Sequence, residues 1–415
     1  MSRNMQFDSG ALRPRETVAL PAFDSVEDVV ATIADDRPIQ VLYPARITER
    51  ARAFLSAFPG QVMFAVKCNP DPAVLQALAG AGLRDFDVAS IAEIEAVRAH
   101  APDAVMHFMH PVKNRKAIRH ACLAGIRSFA LDSLAELAKI TEETAAADLD
   151  LTVRLALPRG DAALDLSGKF GIAGDEAVAL LRAARRTARR LMISFHVGSQ
   201  CMTPEAYARA IDSTRALLDR AGMDIDALDI GGGFPVPYPG MTAPPLSAFV
   251  DAIIDGVRRN GLDDIPLIAE PGRALVAESG AILARVELRK GDALYLNDGT
   301  YGALFDAGSL GWRYPTRLIR TRRNDRPADE QAFSFFGPTC DSLDAMPGPF
   351  HLPGDVQEGD WIEIGHLGAY GACMRTAFNG FHDHATVAIC PGRVSAPSPR
   401  DAAPVPPAAI LSQSQ

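Results

Sequence analysis

One rhythm constrains this chain more than any other feature. From Gln61 to Glu270, short apolar runs rich in Val, Ile and Phe alternate with Ala-, Leu- and Arg-rich stretches of helical period. That alternation is the signature of repeated βα units around a parallel sheet, because strands buried on both faces read as nearly continuous apolar runs. Eight runs can be counted: VMFAV (62–66), DFDVA (85–89), AVMHF (104–108), IRSFAL (126–131), LTVRLAL (151–157), LMISFHV (191–197), DALDI (226–230) and PLIAE (266–270). Helices are expected over 71–81 behind Asp71-Pro72, over 90–99 with Ser90 and Glu93 as a capping box, and over 133–146, 175–189, 204–221 and 246–260. Eight strands with intervening helices predict an α/β fold, a (β/α)8 TIM-like barrel.

After about Gly280 the pattern changes to short β-type runs, AILARVEL (281–288), ALYLND (293–298), AFSFFG (332–337) and WIEIG (361–365), broken by Gly, Pro and Asp. These predict a separate C-terminal β domain. IQVLYP (39–44) belongs near the junction. The expected organisation is an N-terminal segment, 1–36, packing on the β domain; a barrel over 37–278; the β domain over 279–390; and a Pro/Ala/Ser-rich disordered tail over 391–415.

Composition removes several partners. With 42 Lys+Arg against 51 Asp+Glu the net charge is −9, without the positive excess that nucleic acid or an anionic membrane requires. No apolar run approaches the ~18 residues of a membrane span, and the N-terminal stretch has no apolar signal core. Six cysteines without CxxC spacing read as reduced thiols in a cytoplasmic protein, and no metal-ligand pattern appears.

In a βα barrel the reacting groups stand at the C-terminal ends of the strands. The first run closes on Lys67, and an amine leaving an apolar strand is desolvated toward its neutral form, which can make a Schiff base. The sixth closes on His196-Val197-Gly198-Ser199, an aromatic ring for stacking and a hydroxyl for phosphate. The seventh closes on Gly231-Gly232-Gly233, whose backbone N–H groups can crowd around a phosphate. The eighth closes on Glu270-Pro271-Gly272-Arg273, a carboxylate for a pyridine nitrogen and a guanidinium for phosphate. Each group alone is commonplace, but a lysine, a histidine, a glycine loop and a Glu/Arg pair at one barrel mouth point together to pyridoxal 5'-phosphate.

FAVKCN (64–69), FDVAS (86–90), HVGSQ (196–200), DIGGGFP (229–235), AEPGR (269–273), NDGTYG (297–302), GPTCDSLD (337–344) and GAY with FNGF (368–381) resemble the fold type III pyridoxal-phosphate-dependent decarboxylases of basic amino acids. The likeness is strongest to the ornithine-acting members and runs from about residue 20 to 390. It implies the alanine-racemase-like barrel plus β domain and decarboxylation of L-ornithine to putrescine, with L-lysine to cadaverine as a second activity. It also implies an obligate homodimer with two shared sites.

Residue by residue, the resemblance makes Lys67 the lysine that joins the cofactor, His196 the stacking ring and Glu270 the partner of the pyridine nitrogen. Ser199, Gly232, Gly233, Gly272, Arg273 and Tyr370 fall at phosphate and cofactor positions, and Asp87 and Arg154 near the ring. Cys340 and Asp341 match the pair that reaches across the dimer interface, Cys340 to protonate Cα after carbon dioxide leaves and Asp341 to pair the distal ammonium. Tyr301 stands with them on the substrate side.

One departure concerns substrate length. Where the ornithine enzymes carry a second aspartate about nine residues beyond the Tyr-Gly motif, this chain reads Leu304 to Arg313 without an aspartate at that spacing. Two readings stay open: Asp306 as a nearer replacement, or Arg313 as the receptor of a distal carboxylate, as in diaminopimelate or a carboxylated polyamine. A racemase would need a tyrosine where GPTCD places a cysteine, and a regulator without turnover would have lost cofactor contacts that Lys67, Glu270, Arg273 and Cys340 retain.

Overall fold

The computed structural model describes residues 20–33, 36–146, 148–158, 162–164, 168–320 and 328–392. All eight expected runs become strands of one closed parallel barrel: Gln61–Ala65, Asp85–Val88, Val105–Phe108, Ser128–Leu131, Asp150–Arg154, Arg190–Ser194, Ala227–Asp229 and Leu267–Ala269. They pair in chain order, and the eighth closes on the first through Ile268 opposite Gln61. Successive side chains alternate faces, so Phe64, Phe86, Phe129, Val153 and Ile193 pack outward into the main core while Met63, Met109, Ala130, Met192, Ala227 and Ile268 form a separate cluster. Burial on both faces is why the runs read as continuously apolar.

The six expected helices form with ends within four residues of expectation. At Ile91–His100 the Ser90 hydroxyl caps Glu93 N–H, whereas the Glu93 carboxylate reaches past Ser90 to accept from Ala89 N–H at 2.7 Å. Pro44–Ala57 and Arg115–Leu123 are helices that the apolar pattern did not reveal. Their buried faces are narrow, Ile47, Ala51 and Phe54 in the first and Ala117, Ile118 and Ala121 in the second.

Among the described residues, the β domain is a nine-stranded mixed sheet. Its long strand Gly280–Lys290 is bordered by Trp361–Gly365 on one side and by Ile39–Leu42 on the other. A boundary at 37 assigns Ile39–Leu42 to the barrel, but the strand is hydrogen-bonded within this sheet, between Gly280–Lys290 and Ala385–Ile389. Four buried residues in a row mark a central strand without saying which sheet holds it. Of the N-terminal segment, Ala22–Phe23 pairs with Ala385–Ile389, and Phe23, Val26 and Val29 pack under the same sheet. Residues 1–19 and the tail from 393 lie outside the described residues. No described helix is long and apolar enough to cross a membrane.

Candidate active site

The strand ends converge on a cavity of about 480 Å³ at the barrel mouth, walled by Lys67, Asp87, Arg154, His196, Glu270 and Arg273. Ser199, Gly233, Gly272 and Tyr370 also line it. Each arrives by a different route. Lys67 lies in a short 3-10 turn, Val66–Cys68, directly after the first strand. Ser199 begins a short strand, Ser199–Cys201, that pairs antiparallel with Ala162–Leu164. Tyr370 comes from the β domain: its N–H donates to Cys68 O at 3.0 Å, while Asn69 Nδ2 donates to Gly368 O at 2.8 Å. The loop carrying Lys67 is therefore tied to the loop carrying Tyr370.

Lys67 Nζ stands 3.0 Å from Asp87 Oδ2, which comes from the neighbouring strand. Half the Lys67 side chain, 49%, borders open cavity although protein encloses it, and Asp87 is buried. Burial pulls the ammonium toward the neutral amine, but Asp87, Tyr370 and Glu270 outweigh it and hold Lys67 above its usual range. The expectation of a lowered lysine pKa is thus corrected: a carboxylate in hydrogen-bond contact overrides desolvation.

His196 Nδ1 accepts from Gly198 N–H at 3.0 Å, which leaves Nε2 as the protonated nitrogen of the ring. Burial, with Arg154 and Lys67 nearby, keeps its pKa well below the usual range, so the ring is neutral. Gly232 does not line the cavity, but a Cβ there would fall 3.4 Å from His196 Nε2 and 2.5 Å from Glu270 O. At Gly233, φ is +105° and a Cβ would run into Gly198 O. The glycines keep the sixth, seventh and eighth strand ends in contact.

Glu270 and Asp229 form a buried acid pair within hydrogen-bonding reach on adjacent strand ends. Burial raises the pKa of both carboxyls, Asp229 the more strongly. Among the described residues, Glu270 Oε1, Asp229 Oδ2 and Arg273 Nε are buried without a hydrogen-bond partner. One open acceptor and one open donor in the wall of a single cavity fit a molecule bearing a ring N–H and an anionic phosphate, which is the chemistry of pyridoxal phosphate.

A scan of family models matches the pyridoxal-dependent decarboxylases, through their pyridoxal binding domain, over residues 44–277. The chain belongs to the pyridoxal-dependent decarboxylases. Among relatives of this decarboxylase, a lysine/ornithine decarboxylase of Selenomonas ruminantium is 34% identical, covering 77% of this chain and 81% of its own. An ornithine decarboxylase of Panagrellus redivivus is 35% identical, covering 77% of each chain. Among solved structures, the Paramecium bursaria Chlorella virus arginine decarboxylase bound to agmatine superposes with a TM-score of 0.76 at 28% identity, over 87% of this chain and all (100%) of that one. The decarboxylase uses pyridoxal phosphate and belongs to the family of the pyridoxal-dependent decarboxylases of basic amino acids.

Besides Gly232, four expected site residues do not line this cavity: Cys340, Asp341, Tyr301 and Asp306. Cys340 is exposed, and Cys340 and Asp341 line a second cavity of about 870 Å³ on the β domain. Tyr301 Oη donates to Asp341 Oδ2 at 2.6 Å, and Cys340 Sγ sits 3.2 Å from Asn379 Oδ1. Asp306 is buried beside Arg273, with Oδ2 3.4 Å from Nη2, and does not line the cavity. The Arg313 guanidinium packs over Gly240 and does not line the cavity either. Both are drawn away by partners distant in sequence. Sequence reasoning also missed Met109, His110 and Phe170 in the cavity wall, and Asp229. His110 follows the third strand and Asp229 opens the glycine motif, so the rule of strand ends could have found both.

Proposed function

We propose that the protein decarboxylates L-ornithine to putrescine, with L-lysine as a second substrate, and so supplies diamines for polyamine synthesis. The observation that carries the reading is the cavity joining Lys67, His196, Glu270 and Arg273, with an open buried acceptor and donor. Pyridoxal phosphate, when bound, supplies the electron sink for the pair released as the α-carboxylate departs. Lys67 Nζ must give up a proton to act as a nucleophile, and Asp87 Oδ2, 3.0 Å away, holds the amine in place at the barrel mouth. The neutral His196 ring would pack against the cofactor ring, and the free oxygen of Glu270 would hold a proton on the ring nitrogen. Arg273, Ser199, Gly233 and Tyr370 hold the phosphate, and Arg154 flanks the ring.

Protonation of Cα needs a proton donor, a role that the resemblance gives to Cys340, which does not line this cavity. Cys340 and Asp341 serve that need if they come from a second copy of the chain, the thiol delivering a proton and the carboxylate pairing the distal ammonium. Exposed Leu343, Phe378 and Phe381 near Cys340 support a homodimer, because large apolar side chains grouped at a surface mark contact sites. Distal carboxylates lose the support that Arg313 would have lent them.

The test is carbon dioxide release by the cofactor-loaded protein with ornithine, lysine, arginine and diaminopimelate. Ornithine should exceed arginine and diaminopimelate in kcat/KM by about tenfold or more. Faster turnover of either would replace the substrate assignment, and no release from any would replace the enzyme with a binding protein.

A further inference from the structure

Arg273 sits in a cage that its phosphate role does not require. The guanidinium is buried, its carbon 4.6 Å from the Trp312 ring centroid and 4.9 Å from that of Tyr370, and Nη1 donates to Tyr238 Oη at 2.9 Å. Nη2 faces Asp306 Oδ2 at 3.4 Å. Asp306 lies in the first turn of a five-residue helix, Phe305–Ser309, and its carbonyl accepts from Leu310 and Trp312 N–H. The same turn thus places the carboxylate and the indole against one guanidinium. Arg273 borders the cofactor cavity, whereas Asp306 does not.

We infer that Asp306 is the resident counter-ion of Arg273, holding the guanidinium in place without cofactor and opposing the phosphate once it binds. A guanidinium stays protonated in a protein, so a buried one needs an anion at all times. Before cofactor binds, Asp306 supplies it, and burial of that carboxyl raises its own pKa against the pull of Arg273. After binding, the phosphate and Asp306 stand on one cation, and their mutual repulsion weakens the cofactor's hold. Asp306 is a positioning residue in this scheme, and the inference rests on Arg273 contacting phosphate.

The experiment compares wild type with Asp306→Asn and Asp306→Glu by two readouts, thermal unfolding of cofactor-free protein and affinity for pyridoxal phosphate. In Asp306→Asn the cofactor-free protein should melt lower, while affinity rises about threefold to tenfold. Asp306→Glu should restore the wild-type values in part. Pyridoxal lacking the phosphate should bind wild type and Asp306→Asn equally. Weaker binding of pyridoxal phosphate to Asp306→Asn would overturn the inference and make Asp306 an orienting group only. Unchanged binding, with the melting point still lowered, would overturn it and also remove Arg273 from the phosphate site. If the cofactor-free variant does not stay folded, release of cofactor from loaded protein into a chase decides: slower release is expected, and faster release overturns the inference.

Discussion

At the scale of single residues, the site works through pairs whose members come from different strands. Lys67 looks desolvated when its own strand is read alone, yet Asp87, brought alongside by parallel pairing of Ala65 with Asp87, reverses the direction of its pKa. Glu270 was legible as a carboxylate at a strand end, but not the Asp229 carboxyl buried beside it on the neighbouring strand end. Glu270→Gln should therefore retain cofactor while slowing decarboxylation by about 100-fold or more, because a neutral amide cannot hold a proton on the ring nitrogen. Single-turnover carbon dioxide release per bound cofactor checks this, and an unchanged rate would refute the role.

At the scale of elements, six helices were legible in the sequence, and Pro44–Ala57 and Arg115–Leu123 were not. The turn Val66–Cys68 joins the first barrel strand to the β domain, and its Cys68 thiol is buried where a Cβ at Gly272 would lie 3.3 Å from the sulfur. Burial pushes this thiol up to about 12, from about 9 in an unfolded chain. A group whose folded pKa is raised adds stability that is complete below the unfolded value and is lost as pH rises through the window, here from about 9 to about 12. The loss is at most about 1.4 kcal/mol per pH unit. Urea unfolding across this range should show a shallower alkaline decline in Cys68→Ala than in wild type; parallel curves would show that the thiol does not ionise on unfolding.

At the scale of the whole molecule, Lys67 and Cys340 line different cavities of one chain. If Cys340 serves a partner's site, a Lys67→Ala chain and a Cys340→Ala chain, each nearly inactive, should complement when co-expressed. One site of each heterodimer is intact and half of randomly paired dimers are heterodimers, so about a quarter of wild-type activity should return. Purified heterodimers without activity would place Cys340 outside the chemistry. The sequence alone determined the barrel, its eight strands in order and the residues that close them, because strand burial and strand-end chemistry are local in the chain. Tertiary structure alone decided that Ile39–Leu42 joins the β sheet, that Asp87 governs Lys67 and that Asp306 belongs to Arg273. Those outcomes depend on which strands and loops become neighbours in space, and electrostatic coupling follows distance in space, not separation along the chain.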